Sequence, residues 1–61
     1  MMLRPVDLRP GDLLADGTLV TGPWLPRRSR ERTTWIVETD RGWREWTDAR
    51  WPCVEVARRA A

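Results

Sequence analysis

Sixty-one residues are enough for one small domain and no more. Eleven basic residues against nine acidic ones leave a net charge of +2; the single cysteine excludes an internal disulfide, and the absence of histidine excludes imidazole chemistry and the ordinary structural zinc sites. The longest apolar runs, among them Leu13-Leu14-Ala15 and Trp35-Ile36-Val37, are three residues long, which is too short to span a membrane. The opening Met1-Met2-Leu3-Arg4-Pro5 lacks the apolar stretch of a secretory signal, so a reducing cytoplasm is the expected location.

Every basic residue is arginine, a bias that fits a GC-rich gene as well as a choice of forked donors. The aromatic set is five tryptophans with no phenylalanine or tyrosine. At roughly 150–250 Å² each, these indoles offer about 1,000 Å², more than so small a core takes in, and one or two are expected to stay exposed. Charge is uneven along the chain. Arg27, Arg28, Arg30 and Arg32 against Glu31 make the segment 27–32 strongly basic, whereas residues 1–26 are slightly acidic and 33–61 are balanced.

In chain order, residues 1–8 read as an N-terminal arm, with Pro5 and Pro10 near its end. Residues 9–58 read as the folded unit and 59–61 as a tail. Turn signals at Pro10-Gly11, Asp16-Gly17, Gly22-Pro23, Pro26, Asp40-Arg41-Gly42 and Pro52 separate short β-branched and aromatic runs, a spacing that predicts an all-β domain. Asp16-Gly17 predicts a two-residue hairpin turn pairing Leu14 with Leu19 and Leu13 with Val20. The strand leaving it runs toward Trp24, and Pro23 and Pro26 are expected to interrupt its ladder. Thr33–Thr39 and Trp43–Thr47 form a second hairpin through a type I turn at Asp40-Arg41, with Gly42 left-handed. That register pairs Thr39 with Trp43, Glu38 with Arg44 and Ile36 with Trp46, and sends Glu38 and Glu45 to opposite faces. A short 3-10 turn over Thr47–Arg50 and a closing strand over Cys53–Ala57 complete the expected elements, with helix or fraying possible only beyond Val56.

This order resembles the five-stranded SH3-like small barrel. Trp35-Ile36-Val37-Glu38-Thr39-Asp40-Arg41-Gly42 is similar to the third strand and turn of its Tudor-type members. Arg9-Pro10-Gly11-Asp12-Leu13-Leu14 resembles the opening of small barrel proteins of actinobacteria and their phages. The resemblance covers residues 9–58 and implies five strands, with the 3-10 turn before the last. The tight first hairpin leaves out the long loop that walls the peptide groove of eukaryotic SH3 domains. A fold of this kind hosts many functions, so the site must decide the activity.

Two groups of residues stand out as candidates. The basic segment reads either as a solvated surface loop or as a phosphate-contacting finger built from Arg27, Arg28, Arg30 and Arg32. Trp24 and Trp43, one before this segment and one on the neighbouring hairpin, are expected to be exposed and able to stack on bases, to cage a cation or to anchor an interface. Trp35 and Trp46 are expected in the core, and Trp51 is expected to plug one end of the barrel.

Scattered carboxylates, a lone Ser29 without a base, and no room for a deep cleft argue against an enzyme. Cys53 reads as a small apolar residue at a strand start. No cofactor, metal or membrane is implied. The expected function is a small DNA- or RNA-binding accessory protein using the arginines and exposed tryptophan. The alternative is a protein-interaction module that, if phage-encoded, meets a host protein, or that forms a homodimer through the same tryptophans.

Overall fold

The computed structural model describes residues 1–60; the last residue of the expected tail, Ala61, lies outside them. Within the described residues the chain is all-β, with strands β1 (Met2–Leu3), β2 (Leu13–Leu14), β3 (Val20–Arg28), β4 (Thr33–Thr39), β5 (Gly42–Trp46) and β6 (Val54–Arg58). They form two antiparallel three-stranded sheets, ordered β1-β6-β2 and β3-β4-β5. The described residues form six strands in two sheets, neither of them closed, where five strands in one barrel were expected. The additional strand is β1, whose two residues pair with Glu55 and Val54 of β6. A strand this short owes its existence to a distant partner and leaves no local pattern to read. The segment expected to be an arm is therefore part of the fold, and Leu8 behind it is 2% exposed in the core.

The 3-10 turn lies at Pro5–Asp7, not before the last strand. Proline at its start fits, because that position needs no backbone donor and φ is already set. Residues 47–52 form bends, where the Asp48 carboxylate accepts from the Arg50 amide at 2.7 Å.

Both hairpins form, each one residue out of the expected register. Asp16 keeps a negative φ, so the two-residue turn that would need it positive does not form; Gly17 alone is left-handed, at φ 88°. The Leu14 amide donates to the Thr18 carbonyl at 2.8 Å, and Leu13 faces Leu19. In the second hairpin Gly42 is left-handed as expected, at φ 100°. It nevertheless pairs directly with Thr39, which sets Glu38 against Trp43, Val37 against Arg44, Ile36 against Glu45 and Trp35 against Trp46. A one-residue shift turns every side chain of a strand to the other face. Glu38 and Glu45 accordingly share a face, contrary to the sequence expectation.

The core lies between the sheets and consists of Leu8, Leu14, Val20, Val37, Val54 and Val56, with Leu3, Trp24 and Trp46 packed against it. Asp12 is fully buried beside it and accepts the amides of Arg9 and Ala60 at 2.9 and 2.8 Å, with Arg59 Nε at 3.4 Å. This carboxylate ties the start of the fold to its end. The molecule is elongated, 36 × 19 × 18 Å.

Candidate nucleic-acid interface

Pro23 and Pro26 do not stop β3. The register slips between Val20 and Trp24, and the ladder then runs unbroken from Trp24↔Val37 through Arg27↔Thr34 to Arg28↔Thr33. β3 is an edge strand, and proline is tolerated there because its missing donor can face away from the neighbour. The consequence for the basic segment is that Arg27 and Arg28 sit on a strand rather than in a loop.

The strand order fixes where they point. Residues 24, 26 and 28 share the face of Val37, and residues 25 and 27 share that of Ile36. The inner face thus carries Trp24, Trp35, Trp46 and Arg28, and the outer face carries Leu25, Arg27, Ile36, Trp43 and Glu45. Ser29 and Arg32 continue the ladder. The Ser29 amide donates to the Arg32 carbonyl at 2.9 Å, while its hydroxyl donates to the same carbonyl at 2.9 Å and accepts the Arg32 amide at 3.2 Å. Arg30 and Glu31 form the turn of a closed tip.

On the outer face Arg27, Ile36, Trp43 and Glu45 line an open concavity of about 450 Å³. A second one of about 220 Å³ adjoins it, lined by Arg27, Ser29, Arg32, Thr34 and Glu45. Together they make one surface running from an indole to the arginines of the tip. Trp43 is 57% exposed there. Arg27 contacts Glu45 at 3.4 Å, a solvent-exposed pair of modest strength. Arg28, Arg30 and Arg32 make no ion pair among the described residues.

The six residues singled out from sequence are therefore divided. Arg27, Arg32 and Trp43 share the outer surface, Arg30 caps the tip, and Arg28 and Trp24 lie on the other face. Trp24 is half-buried and meets Trp35 edge-on, with ring centroids 5.0 Å apart at 65°. Trp35 and Trp46 are also half-buried rather than sealed in, and Trp51, expected as a plug, is 68% exposed. Cys53 is a half-buried free thiol. Sequence reasoning missed Ile36, Glu45, Ser29 and Thr34 as parts of this surface. The β-branched Thr33-Thr34 opposite the arginines was the available signal that the basic segment is strand.

An open surface with one broad indole and several uncompensated guanidiniums suits a ligand that combines flat aromatic groups with repeated negative charge. Among the described residues no group of three or more His, Cys, Asp or Glu side chains is placed to hold a metal ion, and no helix is long and apolar enough to cross a membrane. No known family, curated protein or solved structure matches the chain.

Proposed function

We propose that this chain is a non-enzymatic binding module for nucleic acid, with Arg27, Arg28, Arg30 and Arg32 contacting phosphates and Trp43 stacking on a base. Its likeness to the SH3-like barrels is part of the same proposal, supported by the all-β content and the hairpin closed by a left-handed Gly42. The observation that carries the function is the tip itself. Three arginines without carboxylate partners stand on a closed ribbon whose outer face leads directly to a 57%-exposed indole. Unpaired guanidiniums release counterions from the phosphates they meet, and the indole adds stacking that tolerates any base.

Titration of an oligonucleotide at increasing salt tests this. Three or four phosphate contacts predict a fall in affinity of roughly 20- to 150-fold between about 50 and 200 mM salt, with quenching of tryptophan fluorescence on binding. Absence of binding even at low ionic strength overturns the proposal.

One observation favours a second reading. Leu25, at 45% exposure, joins Ile36 and Trp43 in an apolar strip across the outer face, as an anchor for a partner protein would. Leu25→Ser separates the two readings: it weakens a protein contact and leaves oligonucleotide affinity unchanged.

A further inference from the structure

The shape of the ribbon adds a substrate class to the proposed function, on which this inference rests. Three strands run side by side only as far as the row Pro26↔Trp35↔Trp46, where β5 ends. Beyond that row the rows Arg27↔Thr34, Arg28↔Thr33 and Ser29–Arg32, and then the Arg30-Glu31 turn, continue as two strands alone. Three rows at about 3.4 Å each project the ribbon roughly 10 Å past the three-stranded sheet, and its two strands lie about 4.8 Å apart. The projection carries cations on every side. Arg27 and Arg32 lie on one face, Arg28 on the opposite face, and Arg30 at the end. Bonds from the Ser29 amide and hydroxyl hold it closed.

A flexible single strand lying on the outer face would meet Arg27 and Arg32 and leave Arg28 on the far side. A ligand that surrounds the ribbon uses all four. The major groove of B-form DNA is about 12 Å wide and about 8.5 Å deep, with a phosphate wall on each side, and it admits a two-stranded β-ribbon. The minor groove, about 6 Å wide, does not admit this one with arginines on both faces. We infer that the β3–β4 ribbon enters the major groove of duplex DNA tip first. Arg27 and Arg32 face one phosphate wall, Arg28 faces the other, and Arg30 reaches the base edges. A guanidinium at the groove floor pairs with O6 and N7 of guanine, and the neighbouring Glu31 can accept from N4 of cytosine. Trp43 stands behind the tip on the Arg27 side, outside the groove, so on a duplex the arginines alone make the contacts and the indole stacks only where a base is unpaired. A-form RNA has a deep, narrow major groove that side chains do not read, so the ribbon selects DNA duplex over RNA duplex.

The test compares one 16-nucleotide sequence as DNA duplex, DNA single strand and RNA duplex at low salt, by fluorescence anisotropy with the intact chain. The expected result is affinity for the DNA duplex about tenfold or more above that for the other two, and a loss of about tenfold when guanine N7 is methylated with dimethyl sulfate. Arg30→Ala should abolish the response to N7 methylation while its tryptophan emission spectrum stays that of the parent chain. Equal or tighter binding to the single strand or the RNA duplex, or indifference to N7 methylation, overturns duplex entry and leaves the broader nucleic-acid reading standing. Failure of all three ligands to bind overturns both.

Discussion

Arg44, on the inner face of β5, forms an ion pair with Asp16, in the turn that follows β2, and so ties the outermost strand of one sheet to a loop leaving the other. An inward-pointing charge on an edge strand also discourages a foreign strand from adding there, and Asp16 supplies the counter-charge that makes it tolerable. Thr18, whose amide donates to it at 2.9 Å, and the Arg44 guanidinium hold the Asp16 carboxyl at about 2, below its ordinary 3.8. A depressed folded value means that the stabilisation is complete above the unfolded value and is lost as pH falls through the folded one. Thermal melts should therefore show a falling Tm from about pH 4 down to pH 2, and Asp16→Asn should lower Tm at neutral pH and flatten that acid limb. An unchanged acid limb in the variant would assign the acid sensitivity to other carboxylates.

The fully buried Asp12 is the more consequential carboxylate for the fold. Burial raises its pKa, but the amides of Ala60 and Arg9 and the Arg59 guanidinium outweigh burial, and the group sits below its ordinary value. Removing the side chain leaves the amides of Arg9 and Ala60 without an acceptor and takes from Arg59 its carboxylate partner. Asp12→Ala is expected to cost about 3 kcal/mol, a large share of the total stability of so small a domain. Urea unfolding monitored by tryptophan emission checks this, with a large drop in midpoint as the expected outcome. Gly11, left-handed at φ 95°, sits beside the same junction, and a Cβ there would lie 3.0 Å from the Cβ of Ala60. Gly11→Ala should destabilise in the same assay.

Turn chemistry carried the all-β class and the left-handed glycines, because Gly17 and Gly42 advertise positive φ whatever surrounds them. Register was not legible in either hairpin. Leu13, Leu14, Leu19 and Val20 are all apolar, so a shift by one residue still pairs apolar with apolar and nothing local penalises it. In the second hairpin the alternation of Trp43, Arg44, Glu45 and Trp46 offers an indole to either face. The exposure of Trp43 was expected, but its company was not: only the observed register places it with Ile36 and Arg27. The length of β3 was hidden by its prolines, which argue against a central strand and say little about an edge one. Trp24 was misjudged for a related reason. The strand was expected to lose its ladder at Pro23 and Pro26 and leave Trp24 exposed, whereas continuation of the ladder turns its indole inward against Trp35.

That difference between Trp24 and Trp43 has a measurable form. Trp43→Ala removes an exposed indole from the outer surface, so it should weaken binding of a single-stranded oligonucleotide by about 1–3 kcal/mol and leave the unfolding midpoint nearly unchanged. Trp24→Ala removes an indole packed against the core and against Trp35, so it should destabilise the domain, near the lower end of the roughly 3–5 kcal/mol typical of aromatic truncations because the ring is only half-buried. Paired measurements of binding and urea unfolding on both variants check the assignment. Equal effects of the two substitutions on binding, at equal stability, would return Trp24 to the interface.

Glu45 offers the sharpest probe of the tip, because its effect runs opposite to that of the arginines. It engages Arg27 at 3.4 Å in an exposed position and places a negative charge between the two concavities, so under the proposed function it would compete with phosphate for that guanidinium. Glu45→Gln keeps the shape and removes the competitor. Affinity for an oligonucleotide should rise severalfold, and the slope of log affinity against log salt should steepen as Arg27 gains a phosphate. Arg28→Ala and Arg32→Ala should each make that slope shallower by about 0.7–0.9, whereas Arg27→Ala should do so only weakly until Glu45 is neutralised. The double variant Arg27→Ala/Glu45→Gln closes the cycle: if Glu45 acts through Arg27, its substitution gains little once Arg27 is gone. A gain that persists at full size would show that Glu45 repels the ligand directly, as a like charge on the same face.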